Sequence, residues 1–151
     1  MKSVFMWAAA FTCALIVQGY ASSASASQNV SRGAMEVSFD NGGNVVAYAR
    51  EMTRARQQNT HVSFRGHCAS ACTIFLALPS SQTCIRPGTK FGFHKAYGAS
   101  ANSNKWGTQF LLDRYPTWVR TWIDSHGGLT SRMIWMDYAY ASRHMPTCSK
   151  A

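Results

Sequence analysis

Asp40-Asn41-Gly42-Gly43 stands between a loosely alternating run, Ala34 to Phe39, and an amphipathic run that begins at Val45. Two glycines after Asp-Asn are a strong turn signal. Asn44 can cap a helix starting at Val45. Val45, Val46, Ala49, Met52 and Ala55 share one face of that helix, and Arg50, Glu51, Arg54 and Arg56 lie on the other. The helix ends near Gln58, and the β-branched and aromatic run Thr60 to Phe64 follows. Strand, turn, helix, strand is a βαβ unit, which fixes parallel strands and a right-handed crossover. An α/β domain with a parallel sheet is the expected class.

The second strand leads into Arg65-Gly66-His67-Cys68-Ala69-Ser70, a turn of mostly small residues, and the apolar run Ala71 to Leu78 leaves it as a short helix. A serine there sits at a helix N-terminus, where unpaired N–H groups favour negative charge. Nucleophilic serines need such surroundings, because an oxyanion forms beside them. An N-cap is the structural alternative for Ser70. After the turn Pro79 to Thr83, Cys84-Ile85-Arg86-Pro87-Gly88-Thr89 leads into a strand, Lys90 to His94. This second βαβ unit ends on a histidine. Gly42-Gly43, Ser70 and His94 then share the edge formed by the C-terminal ends of parallel strands, where α/β proteins bind ligands.

Tyr97 to Gly107 is polar and small, and reads as a loop or lid. Thr108 to Tyr115 reads as a helix, and Pro116 as the first position of another that carries Trp118, Val119, Trp122 and Ile123. Gly127-Gly128 stops it. Leu129 to Ala141, rich in Met and aromatics, reads as a last helix packed in the core or against another subunit.

The N-terminus has the marks of a secretory signal. Lys2 is a short positive region, Val4 to Val17 is an apolar stretch of 14 residues broken only by Thr12, and Ala24-Ser25-Ala26 is a cleavage pattern. Fourteen residues fall short of the roughly 20 a membrane span needs. The expectation is a signal over 1–26 and one domain over 27–151, periplasmic or secreted, with no transmembrane segment after cleavage. Loss of Lys2 lowers the formal net charge from +9 to +8. The basic residues are scattered with no block of like charge, which argues for solubility or surface attraction and against nucleic acid.

Four cysteines follow the signal: Cys68, Cys72, Cys84 and Cys148. An even number in an exported domain suggests disulfides, with three connectivities open. Zinc held by Cys68, Cys72, His67 and His94 is the weaker alternative, because no second closely spaced Cys/His pair follows. No metal and no cofactor are expected.

Gly66-x-x-x-Ser70-Ala71, followed by Ile85-Arg86-Pro87-Gly88-Thr89-x-Phe91-Gly92-Phe93-His94, resembles the proteolytic subunit of Clp protease (ClpP). It is similar also to exported Clp-protease-like bacterial proteins with a Cys-x-Ser-Ala-Cys motif. Ser38-Phe39-Asp40-Asn41-Gly42-Gly43-Asn44-Val45 resembles the family's Ser-Pro-Gly-Gly oxyanion turn, with Asn41 where the family has proline. The resemblance covers about Met35 to Lys95. It implies a crotonase-like fold in which parallel βαβ units are followed by C-terminal helices, here expected to be truncated, because the mature chain starts just before the Gly-Gly turn and lacks the family's first strands and helix. It implies Ser70 as nucleophile, His94 as general base, and the N–H groups of Gly43 and Ala71 as oxyanion donors. The family's acidic third member should fall near Tyr140 or Ala141. Asp137, one turn earlier, is the nearest carboxylate.

In this topology Cys68 and Cys72 flank the nucleophile turn, while Cys84 starts the returning strand a helix length away. A disulfide needs Cα atoms within about 7 Å. The expected pairs are Cys68–Cys72 and Cys84–Cys148. Two functions follow from the resemblance. One is an exported serine hydrolase of peptidase type acting on peptide or protein. The other is a catalytically inactive domain used for protein binding or homo-oligomeric assembly.

Overall fold

A computed structural model describes residues 33–149. The signal expected over 1–26 lies outside them. Strand β1 (Ala34–Asp40), helix α1 (Val45–Gln57) and strand β2 (His61–Ala69) form the first βαβ unit. The strands are parallel, with Ala34 opposite His61 and Val37 opposite Phe64. Asn44 caps α1 by accepting the Ala47 amide at 3.0 Å. Met52 and Ala55 are the fully buried residues of its apolar face.

β2 is longer than its β-branched run. It continues through Gly66, whose φ of +71° lies in the left-handed region, and ends only at Ala69. Between Ser38 and Asp40 the β1–β2 register shifts, so that Asp40 faces Cys68. The Phe39 ring lies where a Cβ on Gly66 would stand, at 2.6 Å, so glycine is required there. The bulge lets the strand run on with Cys68 still facing the core.

Ser70 to Ala77 is a 3-10 segment rather than an α-helix. Its residues from Ala71 to Leu76 are all buried. A segment apolar on every side has no solvent face and belongs at the centre of the fold. A second 3-10 turn, Ser80–Gln82, leads to β3 (Thr83–Ile85) and β4 (Lys90–Phe93). Both pair parallel with β2, β3 along Val62 to Phe64 and β4 along His67 to Ala69. They form one interrupted strand. Over the Pro87–Gly88 break, Arg86 N–H and Thr89 Oγ1 both donate to Phe64 O.

The C-terminal part differs from expectation in three places. The segment read as a lid from Tyr97 to Gly107 is helical from Ala101, the start of α2 (Ala101–Arg114). Ser100 caps it by accepting the Ser103 amide at 3.2 Å, which supplies the start signal that small polar residues concealed. The helix read over Leu129 to Ala141 is β5 (Ile134–Met136) followed by one turn, α4 (Tyr138–Ala141). β5 pairs antiparallel with β4, Gly92 opposite Trp135. Pro116 caps α3 (Thr117–Ser125) instead of occupying its first position.

The fold is therefore mixed α/β, with a mostly parallel sheet in the order β1-β2-β4-β5 and β3 beside β2. Val37, Val62, Phe64, Phe91, Phe93 and Met136 on its inner face join Ile74, Phe75, Val119 and Ile123 in one core. Cys68 and Cys72 are disulfide-bonded with Cα atoms 5.5 Å apart, and Cys84 and Cys148 with Cα atoms 4.9 Å apart. Ile85 N–H donates to Pro146 O and Cys148 N–H to Ile85 O, so the second bridge staples the C-terminal segment to β3.

Candidate functional site

Ser70 stands where β2 ends and the 3-10 segment begins, with φ +58°. Left-handed backbone at a non-glycine residue is uncommon and costs about 1 kcal/mol or more. Such strain persists only where neighbours over-determine it. A Cβ on Gly42 would lie 2.5 Å from Ala69 O, 2.8 Å from Ala71 N and 2.8 Å from Ser70 Cβ. The turn after β1 is thus pressed backbone to backbone against the turn after β2. The Cys68–Cys72 bridge spans the same turn from the other side, both cysteines fully buried.

Asp40 shapes the glycine turn. Its Oδ1 accepts from Gly42 N–H at 2.7 Å and from Tyr48 O–H at 2.7 Å. Burial, then the Asp40 carboxylate, pushes the Tyr48 phenol above its ordinary range, so it stays a donor. Gly42 N–H is spent on Asp40. Gly43 N–H makes no hydrogen bond among the described residues. Ala71 N–H precedes the first donor that a 3-10 ladder can use. Gly42 and Asp40 were legible only in part: Asp-x-Gly is an Asx-turn signal, but the close approach to Ser70 has no sequence signature.

His94 follows directly after β4. The β2–β4 register sets Ala69 opposite Gly92. The chain leaves that ladder at Ser70, while β4 runs on to Phe93 and His94 follows it. The imidazole is 7% exposed. Its Nδ1 lies 2.6 Å from Lys95 O. A carbonyl oxygen only accepts, so Nδ1 carries a proton, and in the neutral ring Nε2 is the nitrogen with the lone pair. The peptide that carries Lys95 O is held in turn by donation of its N–H, that of Ala96, to Thr108 Oγ1 at 3.0 Å. No hydrogen bond joins Ser70 Oγ to His94 among the described residues.

Asp137 is not brought to this edge. β5 runs antiparallel to β4, with Met136 opposite Phe91. Asp137 follows Met136, at the Lys90 end of β4, some four strand residues or roughly 13 Å from His94 along the strand. Its Oδ1 accepts the Tyr140 amide at 2.9 Å as the cap of α4. The one-turn offset from Asp137 to Tyr140 and Ala141 does hold within α4, but the antiparallel β5 sets the start of α4 at the Lys90 end of β4.

Two adjoining cavities flank the edge. One, of about 670 Å³, is lined by Gly43, Asn44, Ala96, Tyr97, Asn102 and Gly107 among others. The other, of about 560 Å³, is lined by His94, Lys95, Ala96, Tyr97, Ser131 and Met133. Ala96 and Tyr97 belong to both, and neither lining contains a carboxylate. The former lid residues thus form a wall, fixed by α2. With Cys68 and Cys72 joined to each other, their thiolates are not available to zinc. Among the described residues no group of three or more His, Cys, Asp or Glu is placed to hold a metal ion. No described helix is long and apolar enough to cross a membrane.

No protein-family profile matches this chain, and no curated protein sequence does. Among solved structures it is similar to a mutant ClpP1 from Listeria monocytogenes, at 16% identity over 76% of this chain and 71% of that one, with a TM-score of 0.45. It is similar also to a peptidase from Plasmodium falciparum, at 8% identity over 74% of this chain and 75% of that one, with a TM-score of 0.49.

Proposed function

We propose that this chain is a Clp-protease-like serine hydrolase that acts in the exported space on peptide or protein substrates. The observation that carries the reading is Ser70 itself: a strained, left-handed serine at a strand-to-helix junction, walled by Gly42 and adjoining the strand end that bears His94. Strain at such a junction is the mark of a presented nucleophile. The Gly-Gly, Ser-Ala and Phe-His motifs stand in the order the family resemblance requires.

In the proposed reaction Nε2 of His94 takes the Ser70 Oγ proton as Oγ attacks the substrate carbonyl carbon. The carbonyl oxygen becomes an oxyanion and accepts from Gly43 N–H and Ala71 N–H. His94 then gives its proton to the departing amine or alcohol, leaving an acyl group on Ser70. Water, deprotonated by His94, releases the acid and restores Ser70. The Lys95 carbonyl orients the imidazole but carries no net charge, so it stabilises the imidazolium less than a carboxylate. Activated esters should therefore turn over faster than amides.

Labelling with a fluorophosphonate probe tests the reading. The expected result is one phosphonyl group on Ser70 of the wild type and none on Ser70→Ala. A folded wild type that takes no label would overturn it. A second reading has a specific observation in its favour. With Asp137 at the far end of β4, no carboxylate lines the cavities beside His94. A domain that binds protein or assembles with copies of itself, without catalysis, would give an unlabelled, folded protein. Export would be shown by a mature N-terminus close to Ser27.

A further inference from the structure

The Ser70 turn is held from inside the core by a chain of two hydroxyls. Thr73 Oγ1 donates to Ser70 O at 2.6 Å. That uses the one proton the threonine hydroxyl owns. Tyr115 lies with its oxygen 2.6 Å from the same Oγ1, so the phenol must be the donor in that contact. The direction is unambiguous: Tyr115 O–H to Thr73 Oγ1, Thr73 O–H to Ser70 O. Thr73 is fully buried and Tyr115 3% exposed. Burial holds the phenol above its ordinary range, so it remains protonated and remains a donor.

Tyr115 is the residue that ends α2, 42 positions from Thr73. Its ring also meets the Phe93 ring edge to face, centroids 5.6 Å apart. Phe93 immediately precedes His94 and follows Gly92, the partner of Ala69 in the β2–β4 ladder. One tyrosine therefore backs both strand ends, Ser70 through a hydroxyl and His94 through its neighbour's ring. α2 also supplies Asn102 and Gly107 to the cavity wall.

We infer that Thr73 and Tyr115 are positioning residues that keep Ser70 in its left-handed conformation and its carbonyl turned into the core. The Ser70 carbonyl and the Ala71 N–H belong to one peptide plane. Fixing the oxygen on Thr73 fixes the N–H on the opposite side of that plane. The relay thus sets nucleophile and oxyanion donor together. Without it, rotation of that peptide would relieve the strain at Ser70 and withdraw the Ala71 N–H. This rests on the proposed role of Ser70, yet its conformational core stands apart from catalysis.

The test uses Thr73→Val, Thr73→Ser and Tyr115→Phe in the disulfide-bonded protein, with two readouts. The first is the rate constant of phosphonylation at Ser70, with thermal unfolding followed in parallel. Thr73→Val should label about a hundredfold more slowly, Tyr115→Phe about tenfold, and Thr73→Ser within about twofold of wild type. The second is the Ser70 φ in a crystal structure of Thr73→Val, which should leave the left-handed region. Thr73→Val strands a buried phenol O–H. If it fails to fold, the double variant Thr73→Val/Tyr115→Phe, apolar at both ends, takes its place. Wild-type labelling rates in the folded variants would overturn the inference. If the wild type itself takes no label, the hydrolase reading falls, and the φ decides alone: Ser70 still left-handed without the Thr73 hydroxyl overturns the inference.

Discussion

Gly42 lies against Ser70 so closely that a Cβ on the glycine would stand 2.8 Å from the serine Cβ and 2.5 Å from Ala69 O. Gly42 also has φ +78°. Gly42→Ala meets both a left-handed backbone and a clash with main chain that cannot swing aside. The loss should be about 2 kcal/mol or more of folding stability, read as a lower urea midpoint. Ser70 phosphonylation should fall in the fraction that still folds. Gly43→Ala is the contrast, since its Cβ would meet only Tyr48 at 3.5 Å. It should change the urea midpoint less than Gly42→Ala.

The two disulfides should separate site from fold. Cys84–Cys148 closes 64 positions and Cys68–Cys72 only 4. Chain-entropy arguments give about 4 kcal/mol for the long loop and about 2 kcal/mol for the short one. Replacing Cys84 and Cys148 by Ala should lower the urea midpoint more, while the folded fraction labels at the wild-type rate. Replacing Cys68 and Cys72 should lower it less and slow the labelling of Ser70. The reverse order would refute the division.

Asp137→Asn should leave Ser70 labelling within about twofold, because Asp137 caps α4 at the far end of β4. Asp137→Ala should lower stability by about 1 kcal/mol through the lost cap. A fall of a hundredfold or more in labelling by Asp137→Asn would restore the carboxylate to the site.

His94 should be the Nδ1–H tautomer when neutral. Nitrogen-15 correlation spectra of the imidazole read this directly, with Nδ1 as the protonated nitrogen and Nε2 as the bare one. The opposite assignment would contradict the bond to Lys95 O and remove the base from the proposed chemistry.

Tyr115 should tie stability to alkaline pH. Its phenol is raised in the fold chiefly by burial. The unfolded phenol ionises near pH 10. Below that both states hold the proton and the stabilising contribution is complete. Above it the unfolded state releases the proton first, and stability should fall by up to about 1.4 kcal/mol per pH unit until the folded phenol ionises too. Tyr115→Phe should remove that slope from the difference between urea curves at pH 9 and pH 11.

The first βαβ unit was legible because its signals are local. A capping Asn44, an apolar stripe at helical spacing and a β-branched run each act within a few residues. The same holds for Ser70 and His94 at strand ends, since right-handed crossovers bring those ends to one edge. β5 was not legible. Ile134, Trp135 and Met136 are an apolar run too short to choose between helix and strand, and pairing with Phe91, Gly92 and Phe93 chose for them. α2 was hidden for a related reason: Ser100 to Asn104 carries loop-like residues, and packing of Gly107 against Ala96 and Val45 holds the helix there.

By itself the sequence determined β1, α1, β2 and β4 in their order, the turn at Ser70, and the four cysteines that bridge. Only the tertiary structure decided where Asp137 stands, which carbonyl holds His94, and that Tyr115 reaches Ser70 through Thr73. Hydrogen bonds of a helix or turn close within four residues, so composition and spacing encode them. A phenol meeting a hydroxyl 42 positions away depends on how whole elements pack, and no window of sequence contains that contact.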